Sequence, residues 1–186
     1  MYNNDTKKVL LTDVYKVGDK FRSNMTDPRG HSYFASFTVV DITDTEVVLQ
    51  FYDYKDTEKY PKDKVYVEVP LTKEELVEKY KSDIIDFYDK IQYPYNGDHG
   101  KHSYDNYWYS HDIIEIVKNF KEADYEFIGY FNLNENQRKE TSYGTSYDVG
   151  MIFSEEDENG NEYRYWCHFQ NDYLKDMREQ YKTFDF

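Results

Sequence analysis

Between residues 34 and 69 the chain alternates apolar and polar side chains with period two in three runs, FASFTVVDI, EVVLQFYDY and KVYVEV. Val, Phe and Tyr dominate these runs, so the stretch predicts a half-buried antiparallel strand meander. In the middle run Val47, Leu49 and Phe51 share one face and Val48, Gln50 and Tyr52 the other; in the third, Val65, Val67 and Val69 oppose Tyr66 and Glu68. The parity predicts Phe51 and Val67 as core residues. Thr43-Asp44-Thr45 predicts the first turn, and polar residues 55–64, which include Pro61, the second. Upstream, residues 1–12 read as a lead-in with a short strand at 9–11. Val17-Gly18-Asp19-Lys20-Phe21 reads as a turn feeding a strand, an opening common in small barrels and SH3-like sheets. Residues 24–32, with Pro28 and Gly30, read as a surface loop.

After Pro70 the period changes from two to the helical spacing. Thr72-Lys73-Glu74-Glu75 forms a capping box, and Leu76, Tyr80, Ile84 and Phe87 fall on one side of a helix expected over residues 73–90. That stripe is expected to cover the open face of the meander, with Glu75, Glu78, Asp86 and Asp89 on the opposite side. From Glu75 to Asp89 such a helix would present acidic side chains over about 21 Å. Residues 91–109 break every periodicity. A second helix follows to about residue 122, then a strand through Phe127 and Phe131, a hairpin turning at Asn159-Gly160, and a last helix from residue 171. The pattern lacks βαβ alternation and predicts an α+β fold: an antiparallel sheet, SH3-like or a small barrel, covered by helices, with a helix-strand-hairpin-helix half after it. The expected organisation is residues 1–92, an irregular linker 93–109, and residues 110–186, as one domain or two small lobes.

A chain of 186 residues can bury an ordinary core without staples. Its lone Cys167 cannot form an internal bridge and, lying mid-strand among aromatics, reads as a small buried hydrophobe. Neither a signal-peptide core nor a membrane-length apolar run is seen, so the expectation is a soluble cytoplasmic protein. The formal net charge is −14, from 37 acidic and 23 basic residues, which argues against direct contact with nucleic acid. Residues 1–92 carry 18 acidic and 14 basic side chains, residues 93–186 carry 19 and 9. Disorder does not explain the polarity, because 22 Tyr, 12 Phe and 2 Trp give far more buriable area than disordered chains contain.

Three histidines, His99, His102 and His111, lie close to carboxylates in the irregular segment, the donor types of a zinc or manganese site. Their spacing matches no helix-borne or knuckle motif, Lys101 intervenes, and a solvated polar loop explains them as well; no cofactor or metal is expected. Nucleotide-cradle and nucleophile-elbow motifs are missing from the sequence. Tyrosines exceed what one core of this size buries. Tyr107, Trp108 and Tyr109 therefore read either as exposed binding anchors or as rings folded back on the sheet. Glu155, Glu156, Asp157 and Glu158 concentrate charge at the last hairpin tip.

Acidic surface with aromatic anchors and no catalytic motif predicts a non-enzymatic interaction protein. Its expected partner is a basic protein, a nucleic-acid-binding enzyme or complex, antagonised by nucleic-acid mimicry of the kind that phages and other mobile elements encode, or a toxin bound by its immunity protein. A phage origin would place it in the bacterial cytoplasm. The alternatives are a metal-dependent enzyme built on the His99 region and an aromatic glycan- or ligand-binding module.

Overall fold

The computed structural model describes residues 5–52, 56–103, 110–140 and 147–186. The fold is α+β, and the chain divides into two compact units, residues 1–73 and 74–186. Among the described residues no helix is long and apolar enough to cross a membrane.

The first unit is a six-stranded antiparallel sheet. Its strands are β1 (Thr6–Leu10), β2 (Lys20–Thr26), β3 (Ser32–Ile42), β4 (Glu46–Phe51), β5 (Thr57–Pro61) and β6 (Tyr66–Pro70), in the order β1-β6-β2-β3-β4-β5. Period-two alternation puts Phe21, Met25, Phe37, Val39, Val47, Leu49 and Val67 on one face, and the register lines Phe21, Phe37 and Phe51 up across three strands. Leu11 from the short helix α1 (Leu11–Val14) is fully buried in this core, and Tyr15 stacks on Phe21 at 4.0 Å. Val67 is core, as expected. Phe51, at the end of β4, is only half-buried, edge-on to Phe37 at 4.8 Å.

Turn chemistry accounts for the hairpins. Asp27 accepts from the backbone N–H of Arg29 and His31, with Gly30 in the left-handed region (φ 84°), so the β2–β3 connection is tighter than the nine-residue loop read from composition. Thr43 Oγ1 accepts from the Glu46 N–H (2.9 Å) at the predicted first turn. The predicted second turn instead contains β5, whose TEKYP sequence is too polar to show alternation.

The second unit contains α2 (Lys73–Lys79, whose first residue is the last of the first unit), α3 (Lys81–Lys90), β7 (Lys101–His102), α4 (Ile113–Glu122), β8 (Glu126–Asn132), α5 (Glu135–Glu140), β9 (Val149–Glu156), β10 (Glu162–Phe169) and α6 (Asn171–Tyr181). Its sheet runs β7-β10-β9-β8, antiparallel except for the short parallel β7–β10 pair. One face, with Phe127, Val149, Met151, Phe153, Cys167 and Phe169, packs against the stripes of α3, α4 and α6.

The helical stripe expected to cover the meander therefore belongs elsewhere: Tyr80, Ile84 and Phe87 are buried in the core of the second unit. The first sheet shuts its own core with Leu11, whereas the second has an apolar face that only helices cover. The expected single helix is also two, interrupted at Tyr80 (φ −103°, ψ 13°). The opposite face of the second sheet holds Phe131, Leu133, Ile152 and Trp166, with Tyr95 of the irregular segment folded onto them. Gly150 makes this packing possible, because a Cβ there would collide with the Phe131 ring.

Candidate functional site: an acidic groove on the second unit

Three pieces of local structure converge at one end of the second sheet. On α3, Asp83 and Asp86 are one turn apart and flank the buried Phe87. The helix α4 begins at Asp112, whose carboxylate accepts from the N–H groups of Ile114 (2.8 Å) and Glu115 (3.2 Å), an ordinary N-cap. It ends where Asp124 adopts φ 57°, a left-handed stop that Asp tolerates better than most residues, and the Tyr125 N–H closes back on the Phe120 carbonyl at 2.9 Å. That reversal sets Asp124, Tyr125 and Glu126 in succession at the start of β8.

The β9–β10 hairpin supplies the third piece, Glu155, Glu156, Asp157 and Glu162. Asp157 builds the turn: it accepts from the backbone N–H of Asn159 (2.8 Å) and Asn161 (3.0 Å), from the Asn161 side-chain amide, and from the Tyr163 hydroxyl (3.2 Å). These donors, the Asn161 amide first, hold its carboxyl down at about 2.

Together the three pieces enclose an open groove of about 660 Å³, floored by Phe87, Val117, Phe120 and Phe127 and lined by eight carboxylates. Lys121 is the cation that lines it, and Asp83 holds its ammonium at 2.6 Å. Lys90 reaches Asp86 (2.8 Å) and Glu126 (3.3 Å), and Arg164 reaches Glu162 (2.6 Å). Asp124, Glu155 and Glu156 have no ion-pair partner among the described residues. Eight carboxylates against three cations leave the groove strongly negative, over an apolar floor. Charge is segregated between the units as well: residues 1–73 carry 12 acidic and 11 basic side chains, residues 74–186 carry 25 and 12.

Of the residues singled out in the sequence, Asp86, Glu155, Glu156 and Asp157 meet in this groove. Glu158 lies exposed at the hairpin tip outside it. Glu75 and Glu78 lie on α2, separated from α3 by the break at Tyr80 that replaces the continuous acidic helix face with two short ones, and Asp89 lies farther along α3; none lines the groove. Tyr107, Trp108 and Tyr109 lie outside the described residues. Sequence reading missed Asp83, Asp124, Glu126 and Glu162. Asp83 stands one turn before Asp86, but the other three meet only through the reversal after α4 and the strand register, which pairs Glu126 with Ser154 and Glu162 with Glu156.

The three candidate histidines are held apart. The His99 ring stacks on Phe131 at 3.7 Å, and His111 Nδ1 meets Asp176 at 3.1 Å on the surface. His102 Nε2 lies 2.8 Å from Nδ1 of the buried His168, a hydrogen bond that ties β7 to β10. Among the described residues no group of three or more His, Cys, Asp or Glu is arranged to hold a metal ion. Comparison with protein-family models, with curated proteins and with solved structures finds no match to this chain.

Proposed function

We propose that this chain is a non-enzymatic interaction protein that takes a lysine- and arginine-rich element of a partner protein into the acidic groove of its second unit, and so antagonises a nucleic-acid-handling protein. The observation that carries this reading is the convergence of carboxylates from α3, the α4–β8 reversal and the β9–β10 hairpin over one apolar floor. A basic segment gains there in two ways. Its cations meet carboxylates that lack local counter-ions, which steers association, and its aliphatic stems lie against the half-buried Tyr125 ring on the groove wall, which slows departure. A basic surface that ordinarily holds phosphates presents this combination, and a partner so occupied loses access to its nucleic acid.

The test is capture from a bacterial lysate on the immobilised protein, with a groove variant, Asp86→Asn/Glu155→Gln/Glu156→Gln, as control. Asp157 is left intact because it builds the turn. The reading expects a nucleic-acid-binding protein that the wild type retains at about 50 mM salt and releases by about 300 mM, that the variant fails to retain, and that added nucleic acid displaces. Retention of the same proteins by wild type and variant contradicts it.

A further inference from the structure

The acidity of the whole chain conceals one face of different character. On the first sheet, the side opposite the core is defined by its register: Lys8 faces Glu68, Asn24 faces Phe34, Arg22 faces Ser36, and Lys20 faces Thr38, which in turn faces Gln50. Side-chain contacts confirm the shared face, since the Asn24 amide donates to Glu68 (2.6 Å) and Thr26 and Ser32 hydroxyls meet at 2.7 Å. Just past β4 the Tyr52 N–H donates to the Ser36 carbonyl at 3.0 Å, so the tyrosine continues the Arg22–Ser36 row.

Two large rings stand open on this face, Phe34 at 59% exposure and Tyr52 at 80%. They are diagonal cross-strand neighbours, a placement that separates side chains by about 7–8 Å. Beside them the Arg22 guanidinium lies 4.8 Å from the Phe34 ring centroid. The three rows around the rings carry Lys8, Lys20 and Arg22 against the single carboxylate of Glu68, which the Asn24 amide already occupies. These three rows are therefore locally positive in a protein of net charge −14, with Asp41, Glu46 and Lys59 on the same side in the rows beyond them.

We infer that this face of the first unit binds single-stranded nucleic acid, with Phe34 and Tyr52 stacking on successive bases and Lys20 and Arg22 on the phosphates between them. Exposed rings on a sheet offer every base a stacking surface, and nearby cations track the backbone. The cations decide among ligands that stack on rings: a neutral sugar gains nothing from Lys20 and Arg22, whereas a phosphodiester does. A duplex hides its base faces and cannot use the rings. The exclusion of nucleic acid drawn from total charge does not extend here, because the excess carboxylates belong to the second unit. This inference does not rest on the groove.

The experiment is fluorescence anisotropy of a labelled oligothymidylate of about twelve nucleotides, within the usual site size, titrated with the full chain at low salt. Saturable binding is expected, weakened about tenfold or more by Phe34→Ala or Tyr52→Ala and retained in Phe34→Trp and Tyr52→Trp. Lys20→Gln/Arg22→Gln should reduce the slope of log affinity on log salt by about 1.4. The groove variant Glu155→Gln/Glu156→Gln should leave binding intact, which separates this face from the groove. Failure to bind, binding that survives loss of both rings, or equal ring-dependent binding of an uncharged oligosaccharide overturns the inference.

Discussion

Lys121 Nζ on α4 lies 2.6 Å from Asp83 Oδ2 on α3, so the cation lining the acidic groove is tied to its wall. The pair is largely solvated and adds little to stability. Its consequence for binding is larger: Lys121→Met should strengthen the hold on a basic peptide about two- to fivefold at low salt, the effect of removing one like charge several ångströms away in a high dielectric. Titration calorimetry of wild type and variant checks this, and equal affinities would mean that the peptide sits elsewhere.

The two aromatic residues at the heart of the first sheet should differ in weight. Phe37 is buried between Phe21 (5.1 Å) and Phe51 (4.8 Å), while Phe51 is half-exposed at a strand end. Truncating Phe37 to Ala should cost about 3–5 kcal/mol and Phe51 to Ala roughly half as much. Urea denaturation of the two variants measures the difference, and equal losses would contradict the assigned burial.

The imidazole of His168 is buried against Trp166 and Tyr147 and bonded to His102. Burial first, and then His102, push its pKa down to about 4. The unfolded chain therefore takes up this proton first as pH falls. The associated stability is fully present above about pH 6.5 and is lost as the pH falls toward 4. His168→Gln, compared with wild type by denaturation at pH 7 and pH 4.5, should lose distinctly less on acidification. Parallel losses would show that His168 titrates normally.

The strands of the meander were legible because alternation of Phe, Val and Leu fixes both period and face, and the hairpin at Asn159-Gly160 was legible from its turn residues. What the chain order hid was partnership. Leu76, Tyr80, Ile84 and Phe87 announce an amphipathic helix equally well whichever sheet they cover, and only the unfilled face around Phe127 and Phe153 decides it. Strand β5 was missed because TEKYP lies at a sheet edge, where polar residues are tolerated on both faces. For the groove, the hairpin acids stood out as a run. Asp124 and Glu126 did not, because their role depends on the left-handed turn at Asp124 and on the register of β8 against β9.

The central claim is that a basic segment seats in this particular groove rather than on acidic surface at large. Backbone amide chemical shifts of the isotope-labelled protein, followed by NMR during titration with a lysine- and arginine-rich peptide, test it most directly. Saturable shifts concentrated at Asp83, Asp86, Lys121, Asp124, Glu126, Glu155 and Glu156, and abolished in Asp86→Asn/Glu155→Gln/Glu156→Gln, are the predicted result. Shifts spread evenly over the acidic residues, with Glu75, Glu78 and Asp89 responding as strongly as the groove, would contradict it.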